Sequence, residues 1–348
     1  MLNYGPLKSL FLSDDMSEIM VNSWDHIFVE HKGCLVRTAA RFMDAREFQD
    51  LVFAILLNDK HDYSKTYSFD GILPEGHRYN ITLPPLSPRG PTLTIRKFLE
   101  KNFSLDQMIA SEFMSDKTAR FLKLAVEARL NIVVSGGTGT GKTSFLNTLA
   151  SLIPEDQRVV SVEDTQELRP THVNWIYLKT VKGEKGTVTA RDCVFNALRM
   201  RPDRIIVGEC RGSEAFDMLQ AMNTGHEGSM TSIHSNSAND CLARLETLIN
   251  VANPDMPLKM VRTQISEAVD LIVQLKRLPD GRRQISEIIE LTGMEIDIIT
   301  RSPIFTRNKT GKLDVTGYVP DVIQRINYSA KKISPQFFDP NTQLKKSS

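Results

Sequence analysis

Long apolar runs are missing from this 348-residue chain. The longest obvious one, Leu51–Leu57, falls far short of the roughly 20 residues a membrane-spanning helix needs. Cysteine is scarce. Cys34, Cys193, Cys210 and Cys241 are scattered with no Cys-x-x-Cys spacing. That argues against structural zinc and a disulfide framework, and it fits a reducing cytoplasm. An excess of one charge is also lacking: 43 Lys and Arg face 42 Asp and Glu. A protein held mainly by nucleic-acid phosphates carries a strong basic excess, so no nucleic-acid partner is expected, although a local basic patch is allowed. The N-terminus has Lys8, a short apolar patch around Leu10–Leu12 and then Asp14 and Asp15, which is not the pattern of a secretory signal. There is no internal repeat and no heptad run. What remains, 41% hydrophobic and 24% charged residues, is the composition of a globular protein too long for a single core.

Residues 1–100 read as a small α+β domain. Ile19, Val21, Ile27 and Val29 alternate with polar positions, as in half-buried strands. Lys32-Gly33 supplies a turn and Cys34 to Thr38 a returning strand. Asp44 opens a helix on which Phe48, Leu51, Val52, Ile55 and Leu56 recur at helical spacing. Arg78–Leu83 and Thr92–Arg96 are two further strands, joined through Pro84-Pro85, Pro88 and Gly90-Pro91. Residues 101–116 are the expected linker and hinge. From 117 to 300 short apolar strands alternate with helices: Asn131–Ser135, Val159–Glu163 and Arg204–Glu209 each end in a polar or glycine-rich turn. This pattern implies a parallel α/β sheet. Asp270–Leu278 and Arg282–Leu291 flank Pro279-Asp280-Gly281, a hairpin signal. Residues 301–348 form an extension with a polar, flexible tail. Its basic stretch, Arg301–Lys312, reads as a solvated face or as a contact for a membrane platform or acidic lipid.

The sharpest motif is Gly136-Gly137-Thr138-Gly139-Thr140-Gly141-Lys142-Thr143, followed by Ser144. It matches the phosphate-loop pattern and lies between an apolar strand and a helix, as that pattern requires. Glycines let backbone N–H groups close around an anion, and the helix N-terminus adds a favourable dipole. Lys142 reaches β- and γ-phosphates, and the Thr143 hydroxyl suits Mg²⁺, so ATP and Mg²⁺ are the expected cofactors. Carboxylates at the ends of parallel strands share the rim with such a loop. Glu209 would hydrogen-bond a Mg²⁺-bound water, and Glu163 would orient or deprotonate the attacking water; the alternative is a pair of surface acids. His226 and His234, in Thr224–His234, would sense the γ-phosphate or relay its loss across a subunit boundary. Core or capping histidines, or a zinc site for which no third ligand of suitable spacing is evident, are the rival readings. Arg199, Arg201, Arg204 and Arg211 bracket the Glu209 strand. Arg78 and Arg96 could meet the developing charge if the first domain folds over the second. Each of these is otherwise a solvated arginine.

These residues resemble the type II/IV secretion ATPases, motors of secretion systems and type IV pili. The resemblance is nearest to the tight-adherence (Flp) pilus branch, the CpaF/TadA-like ATPases. It is carried by SDDMSEIMVNSWDHIFVE, LTIRKF, NIVVSGGTGTGKTSFLN, VEDTQEL, ALRMRPDRIIVGECRG and DMLQAMNTGHEGSMTSIHSNS, spanning residues 13–290. It implies a RecA-like core with a smaller α+β N-terminal domain. It matches Glu163, Asp164 and Glu167 to an Asp box, Glu209 to an atypical Walker B acid, His226 and His234 to a His box, and Arg78 and Arg96 to arginines that close on nucleotide. It further implies homohexameric rings at the cytoplasmic face of the inner membrane. These dock on a polytopic platform protein and act indirectly on pilins or exported substrates. The chain departs from the pattern at Tyr63–Phe69 and at Cys210, away from the nucleotide chemistry. The expected function is an ATP-hydrolysing motor. A nucleotide-switched ring scaffold with little turnover and a conjugation-type DNA-transfer ATPase are the alternatives.

Overall fold

The computed structural model describes residues 2–13, 15–31, 33–97, 103–183, 186–308, 311–329 and 332–342. Lys32 of the expected first turn, residues 101 and 102 of the expected linker, Lys309 of the basic stretch and the last six residues lie outside them. The chain divides into two units, Met1–Lys101 with Pro279–Gly281, and Asn102–Leu278 with Arg282–Ser348.

The first unit contains α1 (Lys8–Phe11), β1 (Met16–Ser23), β2 (His26–His31), β3 (Cys34–Arg37), α2 (Ala45–Asn58), β4 (Ser68–Ile72), β5 (Arg78–Thr82) and β6 (Thr92–Arg96). Its strands form an antiparallel sheet in the order β3-β2-β1-β6-β5-β4. Alternation decides the core: Ile19, Val21, Ile27 and Val29 are buried, and the intervening Met20 and Phe28 lie half-buried on the other face, so the positions between are apolar rather than the polar ones expected. Asp44 caps α2 by accepting from the Glu47 N–H at 2.9 Å. The helix buries Phe48, Leu51, Val52, Ile55 and Leu56 against the sheet, the same five residues that its periodicity singles out. Strand β4 has no clear signal in the sequence, because it is an edge strand with Phe69 as its one buried residue and Gly71 as its fourth of five.

The second unit runs through α3 (Leu105–Ala110), α4 (Asp116–Glu127), β7 (Ile132–Gly136), α5 (Lys142–Ala150), β8 (Val159–Glu163), β9 (Trp175–Lys179), β10 (Val181–Gly183), β11 (Gly186–Val188), α6 (Ala190–Ala197) and β12 (Arg204–Val207). It continues with α7 (Glu214–Asn223), β13 (Met230–His234), α8 (Ala238–Ala252), α9 (Leu258–Ala268), β14 (Leu271–Arg277), β15 (Arg283–Glu295), β16 (Ile298–Arg307), β17 (Leu313–Val315) and α10 (Ile323–Tyr328). Among the described residues, nine strands make one sheet, ordered β17-β16-β15-β14-β7-β13-β12-β8-β9. The stretch from β14 to β9 is parallel, and β15, β16 and β17 extend it by antiparallel pairing. The sheet is covered on both faces, which explains why its central strands read as continuous apolar runs. Ile132 and Val134 join the core that also holds α4, α5 and the C-terminal residues Ile326, Phe337 and Phe338. Val133 faces the other core, with Val194, Met218, Leu245 and Ile265 of α6 to α9. This is the α/β architecture expected from the sequence.

Residues 103–116 are packed rather than extended. A capping box between Ser104 and Gln107 starts α3, and Met108, Phe113 and Met114 are buried. At the other end β16 runs through residue 300, and Arg307 on it donates to Ile285 O at 2.7 Å. The segment after it is pinned by Glu290, which is buried. Its carboxylate accepts from the Tyr318 hydroxyl at 2.8 Å, Asp321 N at 3.1 Å and Val322 N at 2.7 Å. No helix among the described residues is long and apolar enough to cross a membrane.

Candidate functional site

Strand β7 ends at Gly136, and the chain curls through Gly137–Gly141 into α5. Gly139 (φ +69°) and Gly141 (φ +90°) stand in the left-handed region that only glycine adopts without strain. Gly136 is needed for a different reason: a β-carbon there would lie 2.5 Å from Thr140 Oγ1. The Thr140 hydroxyl donates to Gly137 O at 2.9 Å. Lys142 Nζ donates to Gly136 O and Gly137 O at 2.9 and 3.1 Å, so the ammonium lies across the loop. Beneath the loop is a buried polar clasp. Ser135 Oγ contacts Ser235 Oγ and donates to Gln274 Oε1 at 2.6 Å, tying β7 to its two neighbours. A backbone shaped this way, with Lys142 and the start of α5 at its mouth, fits a polyphosphate. The Thr143 hydroxyl, in the first turn of α5, has the chemistry of a ligand for Mg²⁺, which takes few protein ligands beside phosphate oxygens and water.

Glu163 ends β8, next to β12 in the sheet. Its carboxylate Oε2 accepts from Glu167 N and Leu168 N, both at 3.0 Å. Arg169 N donates to Asn147 Oδ1 at 3.0 Å, so the loop after β8 is held between the Glu163 carboxyl and α5. Oε1 is buried without a hydrogen-bond partner among the described residues. Burial pushes the Glu163 carboxyl up to about 7, against the opposing pull of the two backbone N–H groups. Gly208 makes room for this side chain: a β-carbon at 208 would lie 2.8 Å from Glu163 Cγ. The glycine beside Glu209 therefore seats Glu163, a relation between adjacent strands that is not readable along the chain.

Glu209 follows β12, and its carboxylate is gripped by Arg211 through Nε at 2.8 Å and through Nη2. Arg211 Nη1 also lies 3.4 Å from Asp164 Oδ2. One guanidinium therefore links the acids of two neighbouring strand tips. His234 is exposed at the end of β13, in register with Gly136. His226 is elsewhere. It precedes the start of β13, about 13 Å of strand away from His234. Its Nδ1 is buried with no hydrogen-bond partner among the described residues. That end of the sheet centres on Asn131, which accepts from Gly228 N at 2.8 Å and Ser229 N at 3.2 Å. It donates to Met222 O at 3.4 Å and to Ala268 O at 2.8 Å. Arg204 is fully buried there, and burial lowers its guanidinium to about 9. It donates to Gln157 Oε1 at 2.6 Å and to Gly228 O at 3.3 Å, so its role is structural.

In the first unit Arg78 and Arg96 sit directly opposite each other on β5 and β6, and Arg96 in turn faces Glu18 on β1. Arg96 Nε is 4.0 Å from Glu18 Oε1. The sheet edge at the phosphate loop thus gathers Gly136–Ser144, Glu163, Glu209 and His234. Two further residues at this edge, Arg277 and Arg283, are not marked by any motif. They reach the loop from β14 and β15, strands whose sequence signal is only that of a hairpin.

A family model described as Type II/IV secretion system protein matches residues 3–302. The conjugal transfer protein TrbB of Rhizobium radiobacter is 38% identical over 281 residues, 79% of this chain and 84% of that one. The type IV secretion system protein PtlH of Bordetella pertussis is 35% identical over 246 residues, 62% of this chain and 72% of that one. Among solved structures, the pilus retraction motor PilT with bound ADP shares the fold with a TM-score of 0.61 at 22% identity, over 82% of each chain. The ATPase DotB of Legionella pneumophila does so with a TM-score of 0.60 at 22% identity, over 81% of this chain and 79% of that one. With its RecA-like core, its phosphate loop and its smaller N-terminal unit, the chain belongs to the type II/IV secretion system protein family.

Proposed function

We propose that the protein binds Mg-ATP at Gly136–Ser144 and hydrolyses it as one subunit of a homohexameric motor. The supporting observation is convergence. Four parallel strands, β7, β13, β12 and β8, bring a phosphate loop, His234, Glu209 and Glu163 to one sheet edge, where ligands of such sheets collect. In this reading Lys142 holds the β- and γ-phosphates and Thr143 ligates Mg²⁺. Glu209, once released from Arg211, would help to hold the Mg²⁺ through water. Glu163 accepts a proton from the attacking water: it is a poised base because its burial raises its affinity for that proton to the neutral range. His234 monitors the terminal phosphate. His226, at the opposite end of β13, suits a relay across a subunit boundary. Arg78 and Arg96 supply positive charge when the first unit closes on the nucleotide, the chain between the units serving as hinge.

The motor would work at the cytoplasmic face of the inner membrane, on a polytopic platform protein, and so move pilins or exported proteins of a tight-adherence (Flp) pilus system. A second reading is carried by the relative named as a conjugal transfer protein: export during conjugation. Turnover of Lys142→Ala and Glu209→Gln tests the common core of both. Each should lose at least about 100-fold in kcat with its circular dichroism unchanged. Wild-type hydrolysis in both variants would overturn the reading. Stimulation by DNA would favour the conjugal branch, and its absence, with stimulation by the platform protein, the pilus branch.

A further inference from the structure

Strand β14 pairs with β7 in parallel register, Leu275 beside Gly136. At Gly136 β7 stops and turns into the phosphate loop, but β14 continues for two more residues. Arg277 therefore overhangs the loop. The antiparallel partner β15 begins at Arg283, directly opposite Arg277. Arg283 Nε donates to Gly139 O at 2.8 Å. A β-carbon on Gly139 would lie 2.9 Å from Arg277 Nη1, and one on Gly141 would lie 3.4 Å from Arg283 Cδ. The two arginines thus line the crown of the loop from Gly139 to Gly141. Arg282, between them in sequence, is turned to Glu112 at 3.1 Å.

Like charges directly across an antiparallel pair oppose pairing. Where a sequence breaks such a local rule, a site is the usual reason. A donor on Gly139 O also has a geometric effect. It holds that carbonyl on Arg283 and so offsets a negative dipole end that would otherwise repel an anion at the loop.

We infer that the turn end of the β14–β15 hairpin is a wall of the nucleotide site: Arg283 is a positioning residue that holds the phosphate loop open, and Arg277 adds a cation to the polyphosphate field of Lys142. This rests on the reading of the loop as an ATP site and adds two residues to it. A guanidinium beside a loop that binds a multiply charged anion raises the local anion concentration and is screened by salt.

The experiment is equilibrium binding of a fluorescent ADP and a fluorescent ATP analogue, each with Mg²⁺, to the full-length protein at two salt concentrations. Thermal unfolding of the nucleotide-free proteins is measured in parallel. Arg283→Gln should weaken both nucleotides about tenfold or more. Arg283→Lys should recover at least half of that loss on a logarithmic scale, because a lysine still donates to Gly139 O. Arg277→Gln should weaken both nucleotides and flatten the salt dependence. All three should unfold at the wild-type temperature, and their turnover should show KM raised more than kcat is lowered. The inference is overturned if Arg283→Gln and Arg277→Gln bind as wild type does. It is equally overturned if the Arg283→Gln loss comes with a lower unfolding temperature and no rescue by lysine. Lys142→Ala separates the two levels. If wild type binds nucleotide and Lys142→Ala does not, an unaffected hairpin variant refutes this inference alone. If wild type itself does not bind, the ATP site fails with it.

Discussion

Replacing Glu163 with glutamine should make the protein more stable at alkaline pH while it removes activity. The carboxyl is buried, and its proton leaves only near pH 7 in the folded protein, against about 4.5 when unfolded. A carboxyl whose folded value is raised favours folding most at low pH, where it is protonated in both states. That advantage is lost as the pH rises from the unfolded value through the folded one. Between pH 5 and 8 the wild type should therefore lose about 2–3 kcal/mol that a neutral side chain keeps. Glutamine has the shape of the protonated acid, and its amide oxygen can still accept from Glu167 N and Leu168 N. The difference between variant and wild type isolates this group from all others that titrate. In thermal unfolding followed by circular dichroism, Glu163→Gln should gain on the wild type by about 3–6 °C between pH 5 and pH 8. Its kcat should fall by about 100-fold or more at every pH. The wild-type rate in turn should rise through a midpoint near pH 7 as the base is freed. A melting-temperature difference that stays constant over this range would refute the assignment of a buried, protonated Glu163.

Other expectations concern the supports of the site. Gly208→Ala places a methyl group against Glu163 Cγ. It should destabilise by about 1–3 kcal/mol and lower turnover about tenfold, read by urea unfolding and phosphate release. Asn131→Ala removes a side chain that makes four buried hydrogen bonds. It should cost about 3 kcal/mol or more in urea unfolding, yet leave nucleotide affinity within about twofold, because Asn131 lies at the other end of β7. Glu290→Ala orphans the Tyr318 hydroxyl and the Asp321 and Val322 N–H groups. It should lower stability by about 2–4 kcal/mol and speed proteolytic cutting near residues 316–322.

The residues that announced themselves in the sequence did so through local rules. The phosphate loop needs glycines at fixed spacing between a strand and a helix. Helix α2 shows its buried face through a 3.6-residue period, and the β14–β15 hairpin through Pro279-Asp280-Gly281. What stayed hidden depends on partners far along the chain. Arg283 meets Gly139 across 144 residues. Gly208 reads as part of an acid motif, and only the pairing of β12 with β8 reveals that it seats Glu163. The two histidines are eight positions apart in one motif, but an extended strand between them carries them to opposite ends of the sheet. Edge strand β4 buries too little, only Phe69, and β17 with three residues is too short to leave a periodic trace.

The matched family segment stops at residue 302, inside β16, which runs from Ile298 to Arg307. Ending a recombinant fragment there would halve a strand, bare the hydrogen-bonding groups of β15 and strip Phe305, Ile326 and Phe338 from the core beside α4. Such a fragment would tend to pair with its own copies along the raw edge. An isolated second unit is therefore better served by keeping the chain through Phe338.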